Sequence, residues 1–117
     1  MLRMEAGSEA EREALAYLQK FGLTLVARNY RCKAGELDLV MLDGSTLVMI
    51  EVRYRSSSEY GGAAASVTVK KQRRIINAAR HLLASRADLR RYRARFDVIA
   101  MSKLHDEPQW IKAAFTA

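Results

Sequence analysis

The sequence predicts an α/β protein: a helix, three consecutive strands, a second helix and a fourth strand. Three observations carry this. An alanine-rich segment free of internal Gly and Pro opens the chain, two apolar runs joined by Asp43-Gly44-Ser45 form a hairpin signal, and a second amphipathic segment runs from Ser66 or Thr68 to about Ser85. At 117 residues, half of them apolar, the chain has the length of one domain with a sizeable core.

Glu5 to Phe21 is rich in strong helix formers and ends at Gly22, where a C-cap glycine belongs. Ala14, Leu15, Leu18 and Phe21 make its apolar stripe, and Glu11 falls on that stripe. Glu5, Glu9 and Glu13 read as surface acids favoured near a helix N-terminus. Leu23 to Arg31 is expected to be the first strand, with Lys33-Ala34-Gly35 turning the chain into the next. The three strands then form a meander, one face of which the first helix covers.

The hairpin is the centre of the reading. Glu36 to Leu42 and Leu47 to Tyr54 are apolar or β-branched except where Asp38 interrupts one run and Glu51 the other, where burial makes charge costly. A two-residue and a four-residue loop both place Leu42 opposite Leu47. Val40 then faces Met49, Asp38 faces Glu51 and Glu36 faces Arg53. Opposed like charges destabilise, so the pair calls for a bound cation, a raised pKa or a nearby base, and a divalent metal with oxygen ligands is the simplest resolution. A register shifted by one residue, or a solvated edge position paired with an arginine, would remove the problem.

Arg55 to Gly62 is polar and glycine-rich and reads as a mobile loop beside the site. The second helix turns Val69, Ile75, Ile76, Ala79, Leu82 and Leu83 towards the core, and its Lys70, Arg73, Asn77 and Arg80 share one outer face suited to phosphate oxygens. Lys71 and Arg74 complete the candidate nucleic-acid contacts. Ala87 to Arg93 is a basic connection, Arg95 to Met101 a fourth strand, Ser102 to Pro108 a loop, and Gln109 to Phe115 a short terminal strand. Asp97 is expected to pair structurally with Arg95 or another arginine rather than to bind a ligand.

Composition narrows the function. The net charge is +7, and it is uneven: Lys70 to Arg95 holds ten Lys or Arg against one acid, Asp88. That density points to a polyanion, nucleic acid before an anionic membrane surface, against the alternative of a solvated face that keeps a small protein soluble. Cys32 is the only cysteine, which excludes an intramolecular disulfide and a cysteine zinc site. Neither His81 nor His105 has the spacing to activate it. No apolar run reaches membrane length and the first residues lack a secretory pattern, so a cytoplasmic location is expected.

Glu11-x-x-Ala14-x-x-Tyr17-Leu18, Arg28-Asn29-Tyr30, Gly35-Glu36-Leu37-Asp38, Glu51-Val52-Arg53, Lys71 with Arg74 and Ala78-Ala79, and Arg95-Phe96-Asp97-Val98 together resemble the YraN family of small bacterial proteins. That family is similar to Holliday-junction resolvases and the PD-(D/E)XK nuclease superfamily. The resemblance covers about Gly7 to Met101. It implies one nuclease-like domain over residues 1–117 with a restriction-endonuclease-like α-β-β-β-α-β core, a mixed central sheet and flanking helices. It also implies that Asp38 and Glu51 are ligands of Mg²⁺ or Mn²⁺, with Glu11 an outer or direct ligand. The superfamily's catalytic lysine position is Arg53 here, which keeps the charge but cannot surrender a proton.

The leading expectation is therefore a nucleic-acid-binding protein with a metal-dependent endonuclease site formed by Glu11, Asp38, Glu51 and Arg53. DNA is expected before RNA, with branched DNA among the candidate substrates. One alternative is a nucleic-acid-binding module whose cleavage is weakened or lost through Arg53; another is a non-catalytic interaction protein with an acidic salt-bridge cluster. A resolvase-like role also suggests a two-fold homodimer.

Overall fold

The computed structural model describes residues 5–55, 67–102 and 105–117. The chain runs α1 (Glu5–Lys20), β1 (Thr24–Cys32), β2 (Gly35–Asp43), β3 (Thr46–Arg55), α2 (Val69–Ser85), a 3₁₀ turn (Ala87–Leu89), β4 (Arg93–Ser102) and β5 (His105–Phe115). The strands make one sheet in the order β1-β2-β3-β4-β5. All neighbours are antiparallel except β3 and β4, which run parallel and so need the α2 crossover between them. The mixed sheet and the α-β-β-β-α-β order match the expectation. Most of the loop expected over Arg55 to Gly62, from residue 56 onward, lies outside the described residues, and β3 continues through Arg55.

α1 ends in a Schellman motif: the Leu23 N–H reaches Leu18 O at 3.2 Å and the Gly22 N–H reaches Gln19 O at 3.0 Å, with Gly22 at φ +90°. Its buried stripe is Ala10, Ala14 and Leu18, packed on Leu39, Met41, Val48, Ile50 and Ile99. Phe21 is not on that stripe. It is 58% exposed and stands against Tyr17 and Trp110, because the last turn carries it past the sheet face.

α2 starts at Thr68, whose hydroxyl accepts the Lys71 N–H at 3.1 Å, and covers the opposite face with Ile75, Ala78, Ala79 and Leu82 against Leu37, Val40, Leu47 and Met49. Val69 is exposed rather than buried, since the helix's first residue points away from the sheet. Tyr30 in β1 hydrogen-bonds His81 Nδ1 in α2.

β5 begins at His105, so the Ser102-to-Pro108 loop expected from sequence is largely strand. Pro108 has no N–H to donate, which is tolerable on an edge strand. The β4–β5 ladder bulges around Asp97, and there the carboxylate accepts the Ala113 N–H at 2.9 Å. Asp97 also takes both arms of Arg95, at 2.9 and 3.0 Å, and the Trp110 indole N–H at 2.9 Å. Arg95 reaches on to Asp43 at 3.1 Å. The expected Asp97–Arg95 pair is therefore the centre of a buried network that seats β5.

Candidate carboxylate site and cationic face

The hairpin register is the expected one: Leu42 pairs with Leu47 and Val40 with Met49, leaving Gly44 and Ser45 as the loop. The ladder then stops at Leu39–Ile50. Beyond it the strands fork, and Asp38 fills the fork by accepting the Val52 N–H at 2.8 Å. The pairing of Glu36 with Arg53 does not follow. Glu36 instead lies 3.8 Å from Arg31 of β1, and Arg53 donates to Glu51 Oε2 at 3.3 Å.

Period-two alternation also breaks here. Leu37 packs under α2 and Leu39 under α1, although two residues apart should share a face. Their partners on β1, Tyr30 and Arg28, straddle Asn29, which has φ +53°. The β1–β2 ribbon thus turns over at the Asn29–Asp38 level.

Asp38 and Glu51 stand beside each other at the fork, each bearing on the other's ionisation. Glu51 is buried, and its pKa is pushed up to about 7, first by loss of water and then by the Asp38 charge; Lys71 and Arg53 oppose the rise. Burial likewise raises Asp38, partly offset by the Val52 N–H. Lys71 Nζ stands 3.8 Å from Glu51 Oε2, reaching the pair from α2. Glu11 approaches from α1. Its pKa is raised by burial and by the Asp38 charge, while the Asn29 side chain, Arg28 and Arg31 favour its charged form.

The structure therefore brings Asp38, Glu51, Arg53 and Lys71 together, with Glu11 alongside. Among the described residues no group of three or more His, Cys, Asp or Glu side chains is gathered so as to hold a metal ion by itself. The donor set does suit a hard divalent cation of the Mg²⁺ kind, which is commonly held by one or two carboxylates together with water and substrate phosphates.

Gly35 fixes α2 over this end of the sheet. A Cβ there would lie 2.3 Å from the Arg74 carbonyl oxygen, so only glycine lets the helix approach closely enough for Lys71 to reach Glu51. Lys70, Arg73, Asn77 and Arg80 are all exposed on the outer side of α2, as the spacing predicts, and Arg74 is exposed beside them. Sequence reasoning missed three participants. Lys71 was assigned only to the cationic face, the Val52 N–H is a backbone group with no sequence signature, and Asn29 gave one usable signal: an Asn inside a strand is among the few residues that tolerate positive φ.

Fold and site define a class: an α/β protein on an α-β-β-β-α-β core, with two neighbouring carboxyls where its central strands part. Within that class the chain belongs to the uncharacterised protein family UPF0102, which it matches over residues 10–101. It is 45% identical over 112 residues to a UPF0102 protein of Pseudomonas fluorescens, covering 96% of this chain and 93% of that one. A UPF0102 protein of Pseudomonas putida is 50% identical over 113 residues (94% and 91%), and one of Herminiimonas arsenicoxydans 53% over 116 (96% and 87%). The YraN resemblance is thereby confirmed as family membership.

Proposed function

We propose that this protein binds nucleic acid, DNA in the first place, along the outer row of α2 and hydrolyses a phosphodiester bond at the Asp38–Glu51 fork. The observation that carries the reading is the carboxyl pair itself: two acids stand side by side, largely out of water, beside Lys71 and Arg53. Such an arrangement is costly to a purely structural core and suits the binding of a cation. Asp38 and Glu51 would hold Mg²⁺ or Mn²⁺, with Glu11 in support, and the metal would supply an activated water and charge neutralisation at the phosphate.

The chain's own groups have separable tasks. The Val52 N–H orients Asp38, so that one carboxylate oxygen is committed to the backbone and the other is left for chemistry. Arg53 and Lys71 bring two positive charges to a site where negative charge grows as a phosphoryl group is attacked. Lys71 also supplies the ammonium that position 53 lacks. Lys70, Arg73 and Arg80 position the backbone of the nucleic acid without reading its sequence.

A second reading draws on the same ion pairs. Arg53 at 3.3 Å and Lys71 at 3.8 Å neutralise Glu51 without any metal, as expected of a nucleic-acid-binding module that has lost cleavage. Linear duplex, single-stranded and four-way-junction DNA incubated with protein in Mg²⁺ and Mn²⁺ separate the two readings. Cleavage that disappears in the Asp38→Ala protein supports the first. Salt-dependent binding without cleavage supports the second, and neither binding nor cleavage returns the acidic cluster to a structural role.

A further inference from the structure

Asn29 is an outlier in β1. Apart from Ala113, it is the one residue other than glycine with positive φ among the described residues, and it occurs inside a strand where that conformation is normally avoided. Its place is not arbitrary. Arg28 pairs with Leu39 and Tyr30 with Leu37, so Asn29 sits across from Asp38. At that level both strands exchange faces: Leu39 packs beneath α1, whereas Tyr30 and Leu37 pack beneath α2. A regular strand would have kept 28 and 30 on one face, and 37 and 39 on one face, and would have let the β2–β3 ladder run on past Leu39–Ile50 instead of leaving the Val52 N–H to the Asp38 side chain. Conformational outliers of this kind persist where the surrounding structure has a use for them.

We propose that Asn29 is the positioning residue of the carboxylate site: its left-handed backbone turns the β1–β2 ribbon so that Asp38 enters the fork. The assignment of this carboxyl to metal and phosphate chemistry rests on the function proposed above, but the positioning role does not, and the two are tested separately.

Three variants test the backbone role. Asn29→Gly keeps the backbone conformation, Asn29→Asp keeps tolerance of positive φ, and Asn29→Ala disfavours the conformation. The metal-free readout is the Val52 backbone amide, followed by proton chemical shift and hydrogen exchange, because its hydrogen bond to Asp38 exists only if Asp38 is in the fork. It should be unchanged in the Gly and Asp variants, while in the Ala variant it should move towards an unbonded position and exchange at least tenfold faster. The second readout is the affinity for Mn²⁺ alone by calorimetry. It should be unchanged in the Gly variant and weakened by about tenfold in the Ala variant, the usual consequence of removing a group that orients a ligand.

A Val52 amide that is undisturbed in a folded Ala variant overturns the backbone role. If the Ala chain does not fold, a Gly variant with an altered Val52 amide overturns it instead. Equal Mn²⁺ affinity of wild type and a folded Ala variant overturns the part of that positioning in metal binding. A wild-type protein that binds no Mn²⁺ sinks the proposed function and leaves the Val52 amide to decide the positioning of Asp38.

Discussion

The carboxylate of Asp38 accepts the backbone N–H of Val52 at 2.8 Å, one step beyond the last paired residues of the β2–β3 hairpin. A side chain takes over from the ladder at the point where the strands separate, so Asp38 is fixed by the sheet while lying outside it. Asp97 does the same for the Ala113 N–H at the β4–β5 bulge. In both places an acid satisfies a donor that irregular pairing would otherwise leave unbonded.

Divalent metal should raise the melting temperature. A cation at 100 times its Kd stabilises the native state by about 2.7 kcal/mol, and here it also relieves the opposition of two acids. Differential scanning with Mg²⁺ or Mn²⁺ should show the rise in wild type and its loss in Asp38→Asn and Glu51→Gln. Asp38→Asn is the cleaner control, since its side-chain oxygen still accepts the Val52 N–H. No shift in wild type at millimolar metal would refute a metal site at this fork.

Without metal, stability should fall as pH rises. Glu51 has an ordinary value of 4.5 and is pushed up to about 7 in the folded chain, chiefly by burial. The folded state therefore holds a proton that the unfolded state has released, so this contribution is fully present below about 4.5 and is lost as pH climbs to about 7. It amounts to at most about 3 kcal/mol. Burial of Asp38 acts in the same direction. Urea unfolding in the presence of a chelator should follow this slope in wild type, and Glu51→Gln should flatten it.

Nucleic-acid binding should depend on salt through Lys70, Arg73 and Arg80. Each phosphate contact contributes about 0.9 to the slope of log K against log salt on duplex DNA. Replacing all three with alanine should reduce the slope and weaken binding to unrelated sequences equally. An unaltered slope in the triple variant would return this row to the role of a solvated surface.

Position 53 separates enzyme from binding module. Arg53→Ala should lower any cleavage rate more than it weakens DNA binding, since charge supplied mainly to the transition state appears in turnover. Arg53→Lys should cleave faster than wild type in Mn²⁺, a compact ammonium being able to approach both phosphate and water. Slower cleavage by Arg53→Lys, with metal and DNA binding intact, would identify arginine as the adapted catalytic cation.

Asp97→Ala should cost about 3 to 5 kcal/mol, the usual effect of breaking a buried ion pair from one side. Arg95 would lose both of its bonds to Asp97, and Trp110 and the Ala113 N–H would lose their acceptor. Chemical denaturation measures the loss. Hydrogen exchange should show β5 released before the rest of the sheet.

The hairpin register was legible in the sequence because loops of two and of four residues around Gly44 both place Leu42 opposite Leu47, and the neighbouring carboxyls followed. The row on α2 was legible because helical spacing alone sets which residues share a face. The end of the ladder was not legible. A side chain replaces a backbone partner there, and nothing in the pattern of Glu36 to Tyr54 marks Asp38 as an acceptor for Val52. Extending the pairing assigned Arg53 to Glu36, whereas the fork gives it to Glu51. Phe21 and Val69 were misplaced because periodicity is least informative at helix ends. The start of β5 was missed because Pro108 reads as a loop residue unless the strand is known to lie at an edge.

Both outer strands of the sheet are poor templates for a further strand. β1 carries a bulge between Leu25 and Ala27, the left-handed Asn29, and the exposed charges of Arg28 and Arg31. β5 carries Pro108, the left-handed Ala113 and an interrupted ladder. Irregularity of this kind discourages edge-to-edge stacking, the route by which open sheets grow into fibres. The two-fold homodimer suggested by a resolvase-like role would then have to form through helices or loops rather than by a continuous sheet across two chains. The residue that turns Asp38 into its fork thus also protects the chain from polymerising along β1.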